Sequence, residues 1–254
     1  MDLNNYFDKE YDLRYFEMNK FGEASSTTML TLLEETAAEH CYAIGHSLLD
    51  LEKQNIGWVL VSGVMELDYY PVYKDKITIR TWLSSYSTIK GVRENIIYNA
   101  AGEIIGRAKG LWVFFDIAKR RPIPILDVFK EKWSFCKTQS IEHNINRKIA
   151  PIQNHLPINK FKVNRFDVDT NKHVNNIKYL HWLMESVPEE ISNNYDLHAI
   201  DGRFIAEAQY GDVILTFTAD ENEKDTFLHT IRTEGDQKVC ATAKTIWKKR
   251  NELE

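Results

Sequence analysis

The residues best suited to chemistry lie in one polar run, 165–176, which is rich in Asp, Asn, His and basic side chains. Within it, Asp169, Asn171 and His173 are spaced two residues apart and precede an apolar pattern typical of a helix. In an extended segment, alternate residues point to one side, so we expect these three side chains to converge beside the helix start. Unpaired backbone N–H groups at such a start, here near Val174, suit the negative charge on a carbonyl oxygen under attack.

Simpler explanations of the same run stay open. Asn and Asp are common N-cap residues, which accounts for Asn175 or Asn176 without any chemistry. His173 would then be an ordinary capping or packed histidine. Asp167 would lie on the same side of an extended segment as Asp169, so either carboxylate could be the functional one.

Helical apolar patterns that could position this run occur in both halves of the chain. They predict one helix per half with a buried face. The first comprises Met29, Leu32, Leu33, Thr36, Ala37, His40 and Ile44, and the second Ile177, Leu180, Met184 and Val187, ended by Pro188. In the first half, the segment matched to the polar run is 22–28, where small hydroxyl side chains precede the helix. We therefore expect only the second half to carry chemistry.

After each helix the apolar pattern changes to a period of two, which is typical of strands with one buried face. The predicted strands are 77–83, 94–99 and 104–115 in the first half, and 213–218, 227–233 and 238–247 in the second. Turns are predicted at Ala101-Gly102 and at Gly235-Asp236.

A faint internal repeat supports the same division. Residues 73–77 resemble residues 210–214, which lie 137 positions later, and residues 108–112 resemble residues 243–247, which lie 135 positions later. The sequence therefore predicts an α+β protein of two similar units, each a long helix wrapped by an antiparallel β-sheet. The predicted boundaries are 1–138 for the first unit, 139–160 for a linker and 161–254 for the second unit.

The composition narrows the class of protein further. The chain has 254 residues and a formal net charge of −5, which argues against a general nucleic-acid binder. No apolar run approaches the roughly 20 residues that cross a bilayer, and the acidic, aromatic start does not resemble a signal peptide. Cys41, Cys136 and Cys240 are too far apart for a metal-ligand or disulfide pattern. We expect a cytoplasmic protein with no membrane insertion, no metal and no cofactor.

Three blocks of the sequence, within residues 169–188, 56–75 and 107–122, resemble the acyl-ACP thioesterases of plants and bacteria. The resemblance extends over nearly the whole chain. It implies two tandem hot-dog domains, a substrate in which a fatty acyl group is carried by acyl carrier protein (ACP), and a free fatty acid as product. It also implies that the second domain is catalytic and that the first mainly shapes the acyl pocket.

The resemblance places the family's catalytic residues on Asp169, Asn171, His173 and Glu207. Plant members have Cys directly after the glutamate, whereas this chain has Ala208, so a cysteine nucleophile cannot act there. Glu207 would then activate water as a general base, and Asp169 would either attack the thioester or position the water. The plain alternative for Glu207 is a solvated residue on a strand face.

Other functions on this fold stay open. They are an acyl-CoA thioesterase, an acyl-thioester dehydratase or hydratase, and a non-catalytic regulator that binds acyl thioesters. A regulator would add a basic DNA-binding module, for which residues 1–25 are too few and too acidic. The basic run Lys119, Arg120 and Arg121 suits docking of an acidic ACP, or is simply a solvated strand end. Association into a homodimer is left open.

Overall fold

The computed structural model describes residues 6–169 and 173–250, and the chain divides into two compact units, Met1–Ile145 and Asn146–Glu254. Each unit contains one antiparallel β-sheet and one main helix. Within the described ranges, no helix combines the length and the apolar character that crossing a membrane requires.

The first unit has a five-stranded sheet with a short sixth strand. Its elements are β1 (Phe7–Asp12), α1 (Ser26–Ala43), α2 (Leu48–Lys53), β2 (Ile56–Leu67), β3 (Lys76–Tyr86), β4 (Lys90–Asn99), β5 (Ile104–Asp116), β6 (Arg121–Pro122) and α3 (Asp127–Lys132). The antiparallel order is β1-β3-β4-β5-β2, and β6 pairs with β5.

The second unit repeats this arrangement. Its elements are β7 (Asn159–Lys162), α4 (Asn176–Met184), α5 (Glu189–Asn194), β8 (Tyr195–Phe204), β9 (Val213–Asp220), β10 (Thr226–Thr233) and β11 (Val239–Lys249). The antiparallel order is β7-β9-β10-β11-β8, strand for strand the order of the first unit. The predicted α+β architecture of two similar units is therefore confirmed.

The main helix of each unit begins at a side-chain N-cap. The Ser25 hydroxyl accepts a hydrogen bond from the Thr28 N–H at 3.0 Å, and the Asn175 side chain accepts one from the Ile177 N–H at 2.8 Å. This confirms the capping role that the sequence suggested for Asn175. The residues that α1 buries are Met29, Leu32, Leu33, Thr36, His40 and Cys41, all but the last of which the apolar spacing predicted.

The main helix of the second unit is shorter than predicted. It ends at Met184, whereas the apolar spacing continues to Val187, just before Pro188. Beyond it, the Ser186 N–H donates to the Leu183 carbonyl at 2.9 Å, and the Val187 N–H donates to the Met184 carbonyl at 3.3 Å. These three-residue bonds tighten the chain into a 3₁₀-like turn. The tightening fits the steric restriction that a proline imposes on the residue before it.

Part of the segment 139–160 packs against the first sheet. The Glu94 carboxylate accepts hydrogen bonds from the Ser140 N–H at 3.0 Å and from its hydroxyl at 2.6 Å. The same carboxylate lies 3.6 Å from the Lys109 ammonium, and both charged side chains are buried. The first compact unit accordingly continues to Ile145.

One histidine is deeply buried in each unit. In β10, His229 Nδ1 lies 3.0 Å from the Thr218 hydroxyl, and Nε2 lies 2.7 Å from the Thr245 hydroxyl. In α1, His40 Nδ1 lies 3.1 Å from the Arg93 guanidinium. Burial lowers the pKa of both histidines to about 3, and for His40 the Arg93 charge adds to the effect. Both imidazoles are therefore neutral near pH 7, and His40 is packed as the sequence predicted.

All three cysteines are free thiols. Cys41 and Cys240 are buried, whereas Cys136 is partly exposed. No disulfide therefore joins any two of these three residues.

Candidate functional site

The extended segment predicted around the polar run is wrong, because the chain reverses direction between Val168 and Val174, which form an antiparallel bridge. The Asp169 N–H donates a hydrogen bond to the His173 carbonyl at 2.9 Å. These two residues therefore face each other across the antiparallel bridge and are not aligned along a strand. Asn171, which we expected beside them, lies outside the described residues.

The His173 imidazole lies against the Glu207 carboxylate, although the two residues are distant in the sequence. His173 Nδ1 is 3.3 Å from Glu207 Oε2, and the two side chains are 16% and 34% exposed. Glu207 lies in the loop between β8 and β9, so its interpretation as a solvated strand residue is wrong. The pair is partly shielded but reachable by solvent, which suits proton transfer to or from a small reactant.

The backbone of Ala208 fixes the loop directly after Glu207. The Ala208 N–H donates to the Tyr179 hydroxyl at 2.9 Å, and its carbonyl accepts from the Val174 N–H at 3.2 Å. Ala208 is fully buried. Tyr179 is a functional candidate that the residue pattern did not indicate, although a tyrosine at a buried position of a helix needs a partner for its hydroxyl.

Val174 is not available as the oxyanion donor that we expected, because its N–H is already donated to Ala208. The Asn175 N–H is likewise donated to the Asp167 carbonyl, at 2.9 Å. The helix itself begins at Asn176. The N–H groups of the first helical turn have no acceptor within the helix, and the first of them belongs to Asn176.

Asp167 is engaged in contacts that stabilise the local fold. Its carboxylate accepts a hydrogen bond from the Asn164 N–H at 2.8 Å and lies 3.4 Å from the Lys178 ammonium. The first contact caps the 3₁₀ turn Arg165–Asp167, and the second joins this turn to α4. Of the two carboxylates that the sequence offered, Asp169 is the one whose backbone pairs with His173.

The first unit contains the same backbone framework. Met18 and Ala24 form the equivalent bridge, and the Asn19 N–H donates to the Glu23 carbonyl at 2.6 Å. The Ala24 N–H donates to the Pro71 carbonyl at 2.7 Å, and the equivalent bond in the second unit runs from the Val174 N–H to the Ala208 carbonyl. The antiparallel bridge before the helix and its hydrogen bonds are therefore duplicated features.

This equivalence corrects the match that we made from the sequence. Asn19 and Glu23, not the small hydroxyl residues within 22–28, correspond to Asp169 and His173. The first unit has an amide and a carboxylate where the second has a carboxylate and an imidazole. The two units thus share a framework but differ in the chemistry that it presents.

The basic run lies on the first unit, where Lys119, Arg120 and Arg121 are exposed at the turn between β5 and β6. The Lys119 ammonium is 3.6 Å from the Asp116 carboxylate. Across residues 6–169 and 173–250, no three His, Cys, Asp or Glu side chains are grouped so as to hold a metal ion.

Family models account for nearly the whole chain. Residues 4–133 match the acyl-ACP thioesterase N-terminal domain, and residues 152–249 match the acyl-ACP thioesterase C-terminal domain. The chain belongs to the acyl-ACP thioesterase family. As a member of this family, it is a thioester hydrolase, as the resemblance of its sequence implied.

Plant relatives align with this acyl-ACP thioesterase over most of its length. It is 27% identical over 276 residues to oleoyl-acyl carrier protein thioesterase 1, chloroplastic, of Arabidopsis thaliana, which covers 96% of this chain and 76% of the relative. It is also 27% identical over 286 residues to oleoyl-acyl carrier protein thioesterase, chloroplastic, of Coriandrum sativum, with 97% of this chain and 78% of the relative covered.

Solved structures show that the fold of this acyl-ACP thioesterase is shared. An acyl-ACP thioesterase from Bacteroides thetaiotaomicron superposes with a TM-score of 0.86 at 22% identity, covering 96% of this chain and 98% of the other. The 12:0-ACP thioesterase from Umbellularia californica gives a TM-score of 0.84 at 19% identity, with the same coverage. The tandem hot-dog fold is therefore confirmed.

Proposed function

We propose that this thioesterase releases a free fatty acid from acyl-ACP at a centre formed by Glu207, His173 and Asp169, with Asn171 as a fourth member. The observation that carries the proposal is the 3.3 Å contact between His173 Nδ1 and Glu207 Oε2. A carboxylate and an imidazole in contact, partly shielded from solvent and beside a helix start, are the groups that ester and thioester hydrolysis needs.

In the proposed reaction, Glu207 takes a proton from a water molecule as that water attacks the thioester carbonyl carbon. The new C–O bond forms, the C–S bond breaks, and the departing thiolate receives the proton. His173 orients the Glu207 carboxylate. Asp169 either positions the water or attacks first to give an acyl-enzyme that water then hydrolyses.

The oxyanion needs a donor other than Val174. We assign this role to the main-chain N–H of Asn176, the first residue of α4, where the helix also contributes a partial positive charge. A donor of this kind stabilises the charge only as it develops in the transition state.

Two substitutions test the centre, and one serves as a matched control. Glu207→Gln and His173→Ala should each lower the turnover of a saturated acyl-ACP by about 10²-fold or more. Glu23→Gln changes the position in the first unit that is equivalent to His173, and it should leave turnover within a few-fold of the parent. Turnover near the parental rate in both site variants would exclude the assignment.

The product measured in this assay also separates the rival functions. Hydrolysis of a saturated acyl thioester liberates a thiol, which a colorimetric thiol reagent detects. Dehydration or hydration would liberate none, and a regulator would bind the acyl thioester without any turnover. A series of acyl lengths on ACP and on CoA defines the carrier and the acyl chain preferred.

For the carrier we propose ACP rather than CoA, and for its docking site the basic run Lys119, Arg120 and Arg121. The family membership and the exposure of all three side chains support this choice. ACPs are acidic, so such a run would steer their approach. We further propose that the first unit mainly shapes the acyl pocket, and that the enzyme works in a reducing compartment, namely the cytoplasm, as its three free thiols favour.

A further inference from the structure

Tyr179 lies in the first turn of α4, four residues after the N-cap Asn175. Its side chain is buried, with a ring packed edge-to-face against Trp182 and Phe204 at centroid distances of 5.5 and 6.0 Å. Its hydroxyl accepts the hydrogen bond from the Ala208 N–H at 2.9 Å. A buried aromatic ring with little freedom thus holds the backbone that directly follows the proposed general base.

The equivalent positions of the first unit cannot form this hydrogen bond. Four residues after the N-cap Ser25 stands Met29, which is buried but has no hydroxyl. The residue equivalent to Ala208 is Pro71, which has no backbone N–H. Donor and acceptor are therefore both missing in one copy of the framework and both present in the other.

This joint difference has no evident structural cause, because the rest of the framework is the same in both units. Each unit forms the antiparallel bridge before its main helix and the backbone hydrogen bond inside that bridge. Each also forms the side-chain N-cap, and the bond from Ala24 to Pro71 matches that from Val174 to Ala208. The fold therefore closes around this loop without a hydroxyl–amide bond. The extra bond occurs in the unit where Glu207 contacts His173.

We propose that Tyr179 is a positioning residue, which holds the Ala208 amide so that the Glu207 carboxylate stays directed at His173. The inference rests on the proposed function of Glu207. Burial raises the pKa of the Tyr179 phenol above its usual value, so the hydroxyl stays neutral at any pH at which the enzyme works. Without the hydroxyl, the buried Ala208 N–H lacks an acceptor and the loop moves to find one.

Tyr179→Phe tests this role, because it removes the hydroxyl and keeps the ring. We expect kcat for acyl-ACP to fall by about tenfold or more while KM changes less than about threefold, since a displaced base impairs the chemical step and not substrate binding. The matched control is Tyr11→Phe in the first unit, where the hydroxyl lies 2.9 Å from that of Thr36 in α1. It should lower the melting temperature comparably but leave kcat near the parental value.

A double-mutant cycle with Glu207→Gln shows whether Tyr179 acts through Glu207. If it does, Tyr179→Phe costs activity in the parent but little or nothing in the Glu207→Gln background. Equal losses in both backgrounds, or an unchanged kcat for Tyr179→Phe in the parent, would overturn the inference. Parental activity of Glu207→Gln alone would instead overturn the proposed function, so the two failures are distinguishable.

Discussion

Glu207 and His173 are separated by 33 residues of sequence, yet their side chains come within 3.3 Å. The loop that carries Glu207 is held by hydrogen bonds of Ala208, a residue with no functional side chain. Residue types and the family resemblance pointed to Asp169, His173 and Glu207 as candidates, and the contact between the last two was not predicted. Neither could reveal the antiparallel bridge between Val168 and Val174, because a spacing of two residues does not show whether the chain continues straight or reverses. Ala208 acts through its backbone amide, which every residue except proline has, so its identity carries no signal.

The two buried histidines predict how stability depends on pH. Each imidazole has a folded pKa of about 3, lowered by burial from 6.5. Between pH 3 and 6.5 the unfolded chain binds more protons than the folded chain. The contribution of each neutral histidine to the free energy of unfolding is therefore complete above pH 6.5 and is lost as the pH falls toward 3. We expect urea unfolding at pH 4 to 6.5 to show a slope of up to about 1.4 kcal/mol per pH unit for each histidine.

The variant His229→Gln isolates one of these contributions. It removes a titrating group from β10 and should reduce the slope by up to about 1.4 kcal/mol per pH unit, whatever it costs in stability at neutral pH. An unchanged slope would show that His229 does not titrate between the folded and unfolded states as its burial requires.

At the scale of the elements, alternation of apolar residues predicted β3, β4 and β5 and their counterparts β9, β10 and β11. It did not predict β2, where apolar residues follow one another almost without alternation, nor β7, which has four residues. The end of α4 was misplaced because apolar spacing continues to Val187, whereas the backbone tightens before it. Periodicity reports which face is buried, but hydrogen bonding determines where an element ends.

The contacts of Glu94 explain why the segment after Trp133 stays on the first sheet. Glu94→Ala removes the acceptor for Ser140 and leaves the Lys109 ammonium buried without its 3.6 Å partner. We expect a loss of about 3–5 kcal/mol in the free energy of unfolding, measured with denaturant. Asp127→Ala breaks the ion pair between Lys130 and the Asp127 carboxylate, which is 84% exposed, and should leave the free energy of unfolding nearly unchanged. Similar losses in both variants would contradict the importance of burial here.

At the scale of the whole molecule, the internal repeat was recognisable because two short matches lie at nearly equal distances in the sequence. The structure extends this similarity to the strand order, the loop hydrogen bonds and the helix caps, none of which requires similar residues. The two units share a backbone framework and differ in a few side chains, such as Asn19 and Glu23 in the first unit where the second has Asp169 and His173. A net charge of −5 likewise conceals local basic runs that differ from the average.

The proposed carrier dock belongs to this scale, because it concerns a second macromolecule. Lys119→Glu combined with Arg121→Glu should lower kcat/KM for acyl-ACP by about tenfold and weaken its dependence on salt, with kcat nearly unchanged. Arg120 already adopts the left-handed conformation, with a φ of 51°, and is left in place so that the turn itself is unchanged. Activity of the variant on acyl-CoA should equal that of the parent.

The second basic run supplies the control for this experiment. Lys248 and Lys249 are exposed at the end of β11 in the second unit. Lys248→Glu combined with Lys249→Glu makes the same change in net charge. If both double variants lose kcat/KM equally, total charge and not a defined dock governs the encounter with ACP.

The burial of two of the three thiols makes this protein convenient for site-selective labelling. Burial raises the pKa of Cys41 and Cys240 to about 11, whereas the hydrogen bond with Thr138 lowers the pKa of the partly exposed Cys136. A maleimide dye should therefore couple to Cys136 in the native protein without engineered cysteines. The fluorophore would label the first unit and leave Glu207 and His173, on the second unit, unmodified.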